Sequence, residues 1–222
     1  MSAFDFSGLT NTTTWSDAAF SQYTTNETQG QVVSQTANGS LHAVVASTGG
    51  TGLMRAKLTG RTWSGIITAK ITVNGARSFT VTDDAAGVGF YIETGANAWK
   101  GYVWRITNLF QRLGILNSTT DNDPSDAPNA WLAAGTTDTI AEGDTFELDL
   151  NLSTGALTCK HNGSTLTTVT DTTYSTGLCA GFFVETGNHG GTGVSRLDTV
   201  GDSVGGDFVP RMIHAFQPTM AQ

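Results

Sequence analysis

The chain has 222 residues, only 14% of them charged, and a net charge of −8. Nothing in so acidic a sequence groups cations to neutralise phosphates or anionic lipids, which excludes nucleic acid and the membrane surface as expected partners. No apolar run approaches the roughly 18 residues of a spanning helix, and abundant Thr, Ser, Gly and Asn predict short strands joined by turns.

The first residues have neither a basic n-region nor an apolar h-region, so no secretion signal is expected. Residues 4–23 carry Phe4, Phe6, Trp15, Phe20 and Tyr23 and read as an irregular opening that closes one end of a sandwich. Residues 31–33 and 41–45 flank Asn38-Gly39, a hairpin signal, because both residues tolerate positive φ. Residues 49–52 read as a flexible connection. Residues 63–73 predict a long strand with Ile67, Ala69, Ile71 and Val73 on one side, ended by Asn74-Gly75. Residues 79–81, 88–93 and 99–107 follow as strands. Residues 106–116 fit a helical stripe through Ile106, Leu109, Phe110 and Leu113, but extended neighbours and Gly114 favour a strand. Residues 117–130 form a polar loop, and 130–135 one helical turn.

Residues 143–187 carry the clearest pattern. Phe146, Leu148, Leu150 and Leu152 alternate with Glu147, Asp149 and Asn151, the period of a half-buried strand. Turns at residues 153–155 and at Asn162-Gly163 continue it as antiparallel sheet. Residues 193–200 predict a closing strand, and the chain divides into a domain over 1–204 and a tail over 205–222. The heptapeptide Gly-Phe-Tyr-Ile-Glu-Thr-Gly at 89–95 recurs as Gly-Phe-Phe-Val-Glu-Thr-Gly at 181–187. The expectation is two equivalent strands in facing sheets with the same packing need. Cys159 and Cys179 each sit in an apolar strand pattern and read as buried free thiols, with a disulfide as the alternative.

Among groups that carry chemistry, Trp99, Tyr102, Trp104 and Trp131 are candidates for a sugar platform, since flat aromatic faces cover pyranose rings. Alternation puts Tyr102 and Trp104 on one side and Trp99 on the other, and the competing reading is that most are core. Asp121, Asp123 and Asp126 could gather oxygen ligands for Ca²⁺, though Asp, Asn, Pro and Ser are also ordinary turn residues. No other cofactor is expected, and no histidine spacing suggests zinc. The tail residues Phe208, Pro210, Arg211, Met212, Ile213 and Phe216 are more apolar than an ordinary disordered end. They predict docking on a neighbouring subunit, or on the chain's own sandwich.

Gly143-Asp144-Thr145, Asn162-Gly163, Asp171, Tyr174, Gly177 and Gly181-Phe182 together resemble the concanavalin A-like, laminin-G-like jelly roll, an all-β, two-sheet antiparallel sandwich. The resemblance covers residues 5–202 and implies binding of glycans or protein partners, with glycoside hydrolysis in some branches. Certain β-glucanases of similar fold use Glu-x-Asp-x-Glu on one strand face, with next-but-one side chains about 7 Å apart. Here Glu147 and Asp149 match, but Asn151 stands where the general acid would be, and an amide cannot protonate a leaving oxygen. A non-enzyme is therefore expected. Such jelly rolls also serve as decoration and adhesion parts of tailed-bacteriophage particles. The resemblance thus extends to an outward-facing virion protein, anchored on other virion proteins by its tail, with cell-surface glycans as partners and assembly as a homo-oligomer. A free carbohydrate-binding module is the alternative.

Overall fold

The computed structural model describes residues 2–5, 20–26, 32–37, 40–45, 52–60, 63–73, 85–92, 99–107, 111–117, 130–133, 140–141, 143–186 and 196–204. Among them the strands, in chain order, are β1 (Ser2–Asp5), β2 (Phe20–Asn26), β3 (Val32–Ala37), β4 (Ser40–Val45), β5 (Gly52–Leu58), β6 (Ile66–Val73), β7 (Ala85–Ile92) and β8 (Lys100–Thr107). There follow β9 (Gln111–Asn117), β10 (Ala130–Trp131), β11 (Thr145–Asn151), β12 (Ala156–His161), β13 (Ser164–Thr170), β14 (Leu178–Thr186) and β15 (Arg196–Val204). The described residues contain no helix. One sheet runs β13-β12-β11-β6-β15-β4-β3, with β1 also on β15; the other runs β10-β9-β8-β7-β14-β5-β2. The fold is an all-β, two-sheet antiparallel jelly-roll sandwich.

The main core lies between the sheets. The alternation read in the sequence places Phe146, Leu148 and Leu150 of β11 beside Ile67, Ala69, Ile71 and Val73 of β6. Ala86, Val88 and Phe90 of β7 and Tyr102, Trp104 and Ile106 of β8 complete it from the other sheet. Each large apolar side chain so enclosed contributes about 1.5–3 kcal/mol relative to exposure.

Two locks tie this core to its loops. Asn162 and Gly163 have φ of 49° and 78°, as a two-residue type I′ hairpin needs. The Asn162 side chain also accepts from Thr145 N–H at 2.8 Å and donates to Asp144 Oδ1 at 2.7 Å. At the second lock the Tyr102 hydroxyl donates to Asp171 Oδ1 at 2.7 Å and accepts from Tyr174 N–H at 3.0 Å.

Several expectations need correction. The opening segment is not wholly irregular: it contributes β1 to one sheet and β2 to the edge of the other. β5 follows the supposed flexible connection at 49–52, and nothing in its mixed Gly-Leu-Met-Arg-Ala-Lys-Leu run announced a strand. Residues 130–131 are a short strand on β9 rather than a helical turn, and Leu132 N–H bonds Leu113 O at 2.9 Å. Strand wins over helix at β9, where Gly114 lies opposite Val103. The repeated heptapeptide does not lie in facing sheets. β7 and β14 are neighbours in one sheet, with Gly181 opposite Gly89. Both cysteines are buried free thiols, one in each sheet.

Candidate functional site

The sheet that contains β7 and β14 is buried on both faces, which period-two alternation alone does not predict. Its second face, turned away from the main core, carries Arg55 and Lys57 of β5, Cys179, Phe183 and Glu185 of β14, and Ala85 and Tyr91 of β7. Val103 and Arg105 of β8, Arg112 of β9 and Trp131 of β10 continue it toward the opposite edge. Register arranges these in rows across the strands. One row reads Lys57, Gly181, Gly89, Val103, Gly114, Trp131; the next reads Arg55, Phe183, Gly87, Arg105, Arg112.

The glycines make this face possible. A Cβ on Gly87 would sit 2.0 Å from the Phe183 ring, and one on Gly89 or Gly181 would meet the Tyr91 ring at 2.9 or 2.8 Å. Gly89 and Gly181 of the repeated motif therefore form a floor under the Tyr91 ring, and Gly87 makes the same room for Phe183. Trp99 folds back onto the same face, edge-on to Tyr91 at a centroid distance of 5.0 Å. The Arg55 guanidinium stands 4.3 Å and the Lys57 ammonium 5.0 Å from the Trp99 ring centre, close enough for cation–π attraction. Arg105 pairs with Glu185 at 3.3 Å. The Tyr91 hydroxyl and the Trp99 indole N–H are buried and find no hydrogen-bond partner among the described residues. Burial raises the Tyr91 phenol well above its ordinary pKa against the pull of Arg55, so it stays a donor.

The four aromatics proposed as a platform do not come together as one. Tyr102 and Trp104 are 0% and 2% exposed in the main core, and Trp99 is 1% exposed on the other face. A ring enclosed on both sides offers no face to a sugar, so these three are packing residues as they stand. Their division between two sides is the one alternation predicts. Trp131 alone of the four is at the surface, 37% exposed, with the Arg112 guanidinium 5.3 Å from its ring centre. The cation-bearing face itself was missed, because its residues are scattered through the sequence. Arg55 and Lys57 of β5 are the two of its cations that lie close together in the sequence.

The carboxylates compared with a glucanase set lie elsewhere, on the outer face of the other sheet. Lys160 bonds Glu147 at 2.8 Å and Asp149 at 2.5 Å, and Lys70 stands 3.8 Å from Glu147. Asn151 caps its own turn, accepting from Ser153 N–H at 3.0 Å. This is an ion-paired sheet surface whose third member does turn work. Asp144 forms a further polar cluster, 3.0 Å from His161 Nε2. Burial raises the Asp144 carboxyl, but hydrogen bonds from Asn162, Ala141 N–H and His161 outweigh it and hold it below its usual range. Among the described residues no group of three or more His, Cys, Asp or Glu could hold a metal. Asp121, Asp123 and Asp126 lie outside the described residues, as do Phe208, Pro210, Arg211, Met212, Ile213 and Phe216.

No protein-family model matches the sequence, and no curated protein is similar to it. Solved structures similar in fold include the carbohydrate recognition domain of Emp47p, at a TM-score of 0.56 and 11% identity, covering 90% of this chain and 93% of that one. The metal-free Emp46p carbohydrate recognition domain gives 0.52 and 9%, covering 83% and 88%. The exoplasmic/lumenal domain of VIP36, solved with Ca²⁺ and Man3GlcNAc bound, gives 0.52 and 10%, covering 83% of each chain. At such identities the likeness is one of fold, and that fold is the concanavalin A-like sandwich.

Proposed function

We propose that this domain is a non-enzymatic, lectin-like recognition module that binds glycans on the second face of the seven-stranded sheet, at its Trp131 edge. The observation that carries the reading is Trp131. Its indole is more than a third exposed, backed by Arg112 and placed opposite Gly114, which leaves the strand beside it without a side chain. A large aromatic ring held out by a sheet edge, opposite a glycine, suits stacking on a pyranose. The fold's likeness to carbohydrate recognition domains supports the same reading, and the ion-paired Glu147 and Asp149 give hydrolysis no support.

The finer form of this reading makes the sandwich the outward-facing part of a tailed-phage particle, built as a homo-oligomer and anchored on other virion proteins through residues 205–222. Its support is the apolar run 208–216 in the sequence; a free carbohydrate-binding module is the competing form. Abundance in purified particles, lost on deleting 205–222, separates the two.

The test of glycan binding is a glycan array probed with the full chain and with Trp131→Ala, in calcium and in EDTA. Binding should fall at least tenfold in the variant while its melting temperature stays within about 2 °C, since an edge ring contributes little packing. Equal binding by both proteins would move the site elsewhere, and loss in EDTA would bring in the Asp121, Asp123 and Asp126 loop.

A further inference from the structure

The strand β13 forms one border of the eight-stranded sheet, with β12 as its strand neighbour among the described residues. Such a border presents a row of unpaired N–H and C=O groups, and proteins normally blunt it with lysine, proline or inward-pointing charge. β13 has none of these. It reads Ser-Thr-Leu-Thr-Thr-Val-Thr, seven residues without a charge. Its one irregularity is an extra residue at Leu166, between the pairs Lys160–Thr165 and Cys159–Thr167. Residues 167–170 remain an uninterrupted run against residues 156–159. Ser164, Thr165, Thr168 and Thr170 are exposed, so the border is open to solvent.

Three observations point to a second copy of the same chain as what covers it. Leu166 and Val169 pack against the main core yet are only half-buried at its rim. A twofold axis perpendicular to the sheet lays β13 antiparallel to its own copy and keeps like faces on the same side. Leu166 and Val169 then meet their counterparts on the core side. On the other side the threonines continue a polar row in which the Thr158 and Thr168 hydroxyls already bond at 3.2 Å, and Thr–Thr contacts are favourable cross-strand pairs. Charge agrees. At a net −8 two copies repel each other, and a strand without charge lets them approach where that repulsion is least.

We infer that β13 is a self-association edge, at which two copies join their sheets side by side about a twofold axis. An edge contact made by one short strand falls at the low end of specific interfaces, below about 1,200 Å² of total buried surface, so the dimer is concentration-dependent. The inference is independent of the glycan reading. It gives the homo-oligomer an interface in the sandwich itself, apart from residues 205–222.

The experiment is sedimentation velocity on the full chain, from about 1 to about 200 µM, a range that brackets weak association. The expected result is a monomer at the lower limit and a dimer at the upper. Raising salt from about 50 to about 500 mM should strengthen the dimer, because it screens repulsion and breaks no ion pair. Hydrogen exchange at β13 should slow at least about threefold at the upper concentration, since pairing protects edge amides. The double variant Thr168→Lys/Thr170→Lys should stay monomeric throughout, although each lysine lowers the net negative charge and would otherwise favour association. Its melting temperature at about 1 µM should stay within about 2 °C of the parent's, which shows that it is folded. Ser64→Lys, exposed elsewhere on the chain, should dimerise as the parent does. A parent that is monomeric at the upper limit would overturn the inference and leave the border to a strand of another protein. A dimer that survives the double variant, or β13 amides that exchange alike at both concentrations, would overturn it by moving the contact elsewhere. Loss of the dimer in Phe216→Asp would assign the contact to the tail and overturn it as well.

Discussion

Gly89 and Gly181 lie directly opposite each other in adjacent antiparallel strands, and the ring of Tyr91 crosses both. Gly87, in the neighbouring row, makes the same room for Phe183, with the three nearest approaches to its missing Cβ all from that ring. Gly87→Ala should therefore destabilise by about 1–3 kcal/mol, the usual cost of overpacking. Because the clash is with one side chain, Phe183→Ala should return part of that loss. A double-mutant cycle in urea measures it, and strict additivity would mean the ring is not what Gly87 accommodates.

The lock at Tyr102 makes a second prediction. Tyr102→Phe keeps the buried ring and deletes the hydroxyl that joins Asp171 to Tyr174 N–H. A bond to a charged group contributes about 1.5–3 kcal/mol, so the variant should melt several degrees lower. An unchanged melting curve would show the 171–174 segment held by other means.

The acid limb of stability follows from the same lock. Burial raises the Asp171 carboxyl, but hydrogen bonds from the Tyr102 hydroxyl and Thr173 outweigh it, and the net pKa is lowered. A carboxyl depressed in the folded state stabilises at pH above its unfolded value of about 3.9. That contribution disappears as pH falls below about 4 toward the folded value. Asp144 is shifted in the same direction and adds to the effect. Urea midpoints from pH 6 to pH 2.5 should fall less steeply for Asp171→Asn than for the parent, and parallel curves would count against it.

At the β12–β13 hairpin, Asn162→Gly and Asn162→Ala separate two roles of one residue. Glycine retains easy access to the φ of 49° and loses the side-chain bonds to Thr145, Asp144 and His161. Alanine loses the same bonds and strains the turn. Alanine should be the more destabilising by about 1 kcal/mol, the cost of a non-glycine side chain in the left-handed region. Chemical denaturation of both variants gives the difference directly.

Glu147→Gln tests the discarded chemistry. It weakens the ladder with Lys70 and Lys160, a half-buried pairing on the sheet surface that contributes about 1 kcal/mol. Glycan binding should not change, and neither protein should release reducing sugar from β-glucan. Activity in the parent that vanishes in the variant would reverse the assignment.

Much of the architecture was legible because it is local. The alternation of Phe146, Leu148 and Leu150 with Glu147 and Asp149, and the Asn162-Gly163 turn, each depend on a few consecutive residues. What alternation cannot say is which strands become neighbours. The heptapeptide at 89–95 and its copy at 181–187 have the same look in facing sheets as side by side, and only register put Gly89 against Gly181. The candidate site was hidden for the same reason. Arg55 and Arg112 are far apart in sequence and reach one face through intervening strands, whereas the division of Trp99 from Tyr102 and Trp104 is local and follows from alternation. Asn151, which stands where the glucanase pattern has its acid, caps its own turn.

Every residue of β7 from Ala85 to Tyr91 is buried, and its neighbours β8 and β14 cover both its edges. Amide exchange there cannot begin by fraying at a border or by wetting from one side. It must wait for the sandwich to come apart as a unit. In deuterated buffer the β7 and β14 amides should be the last to lose their protons, while those of the outermost strand β13 go early.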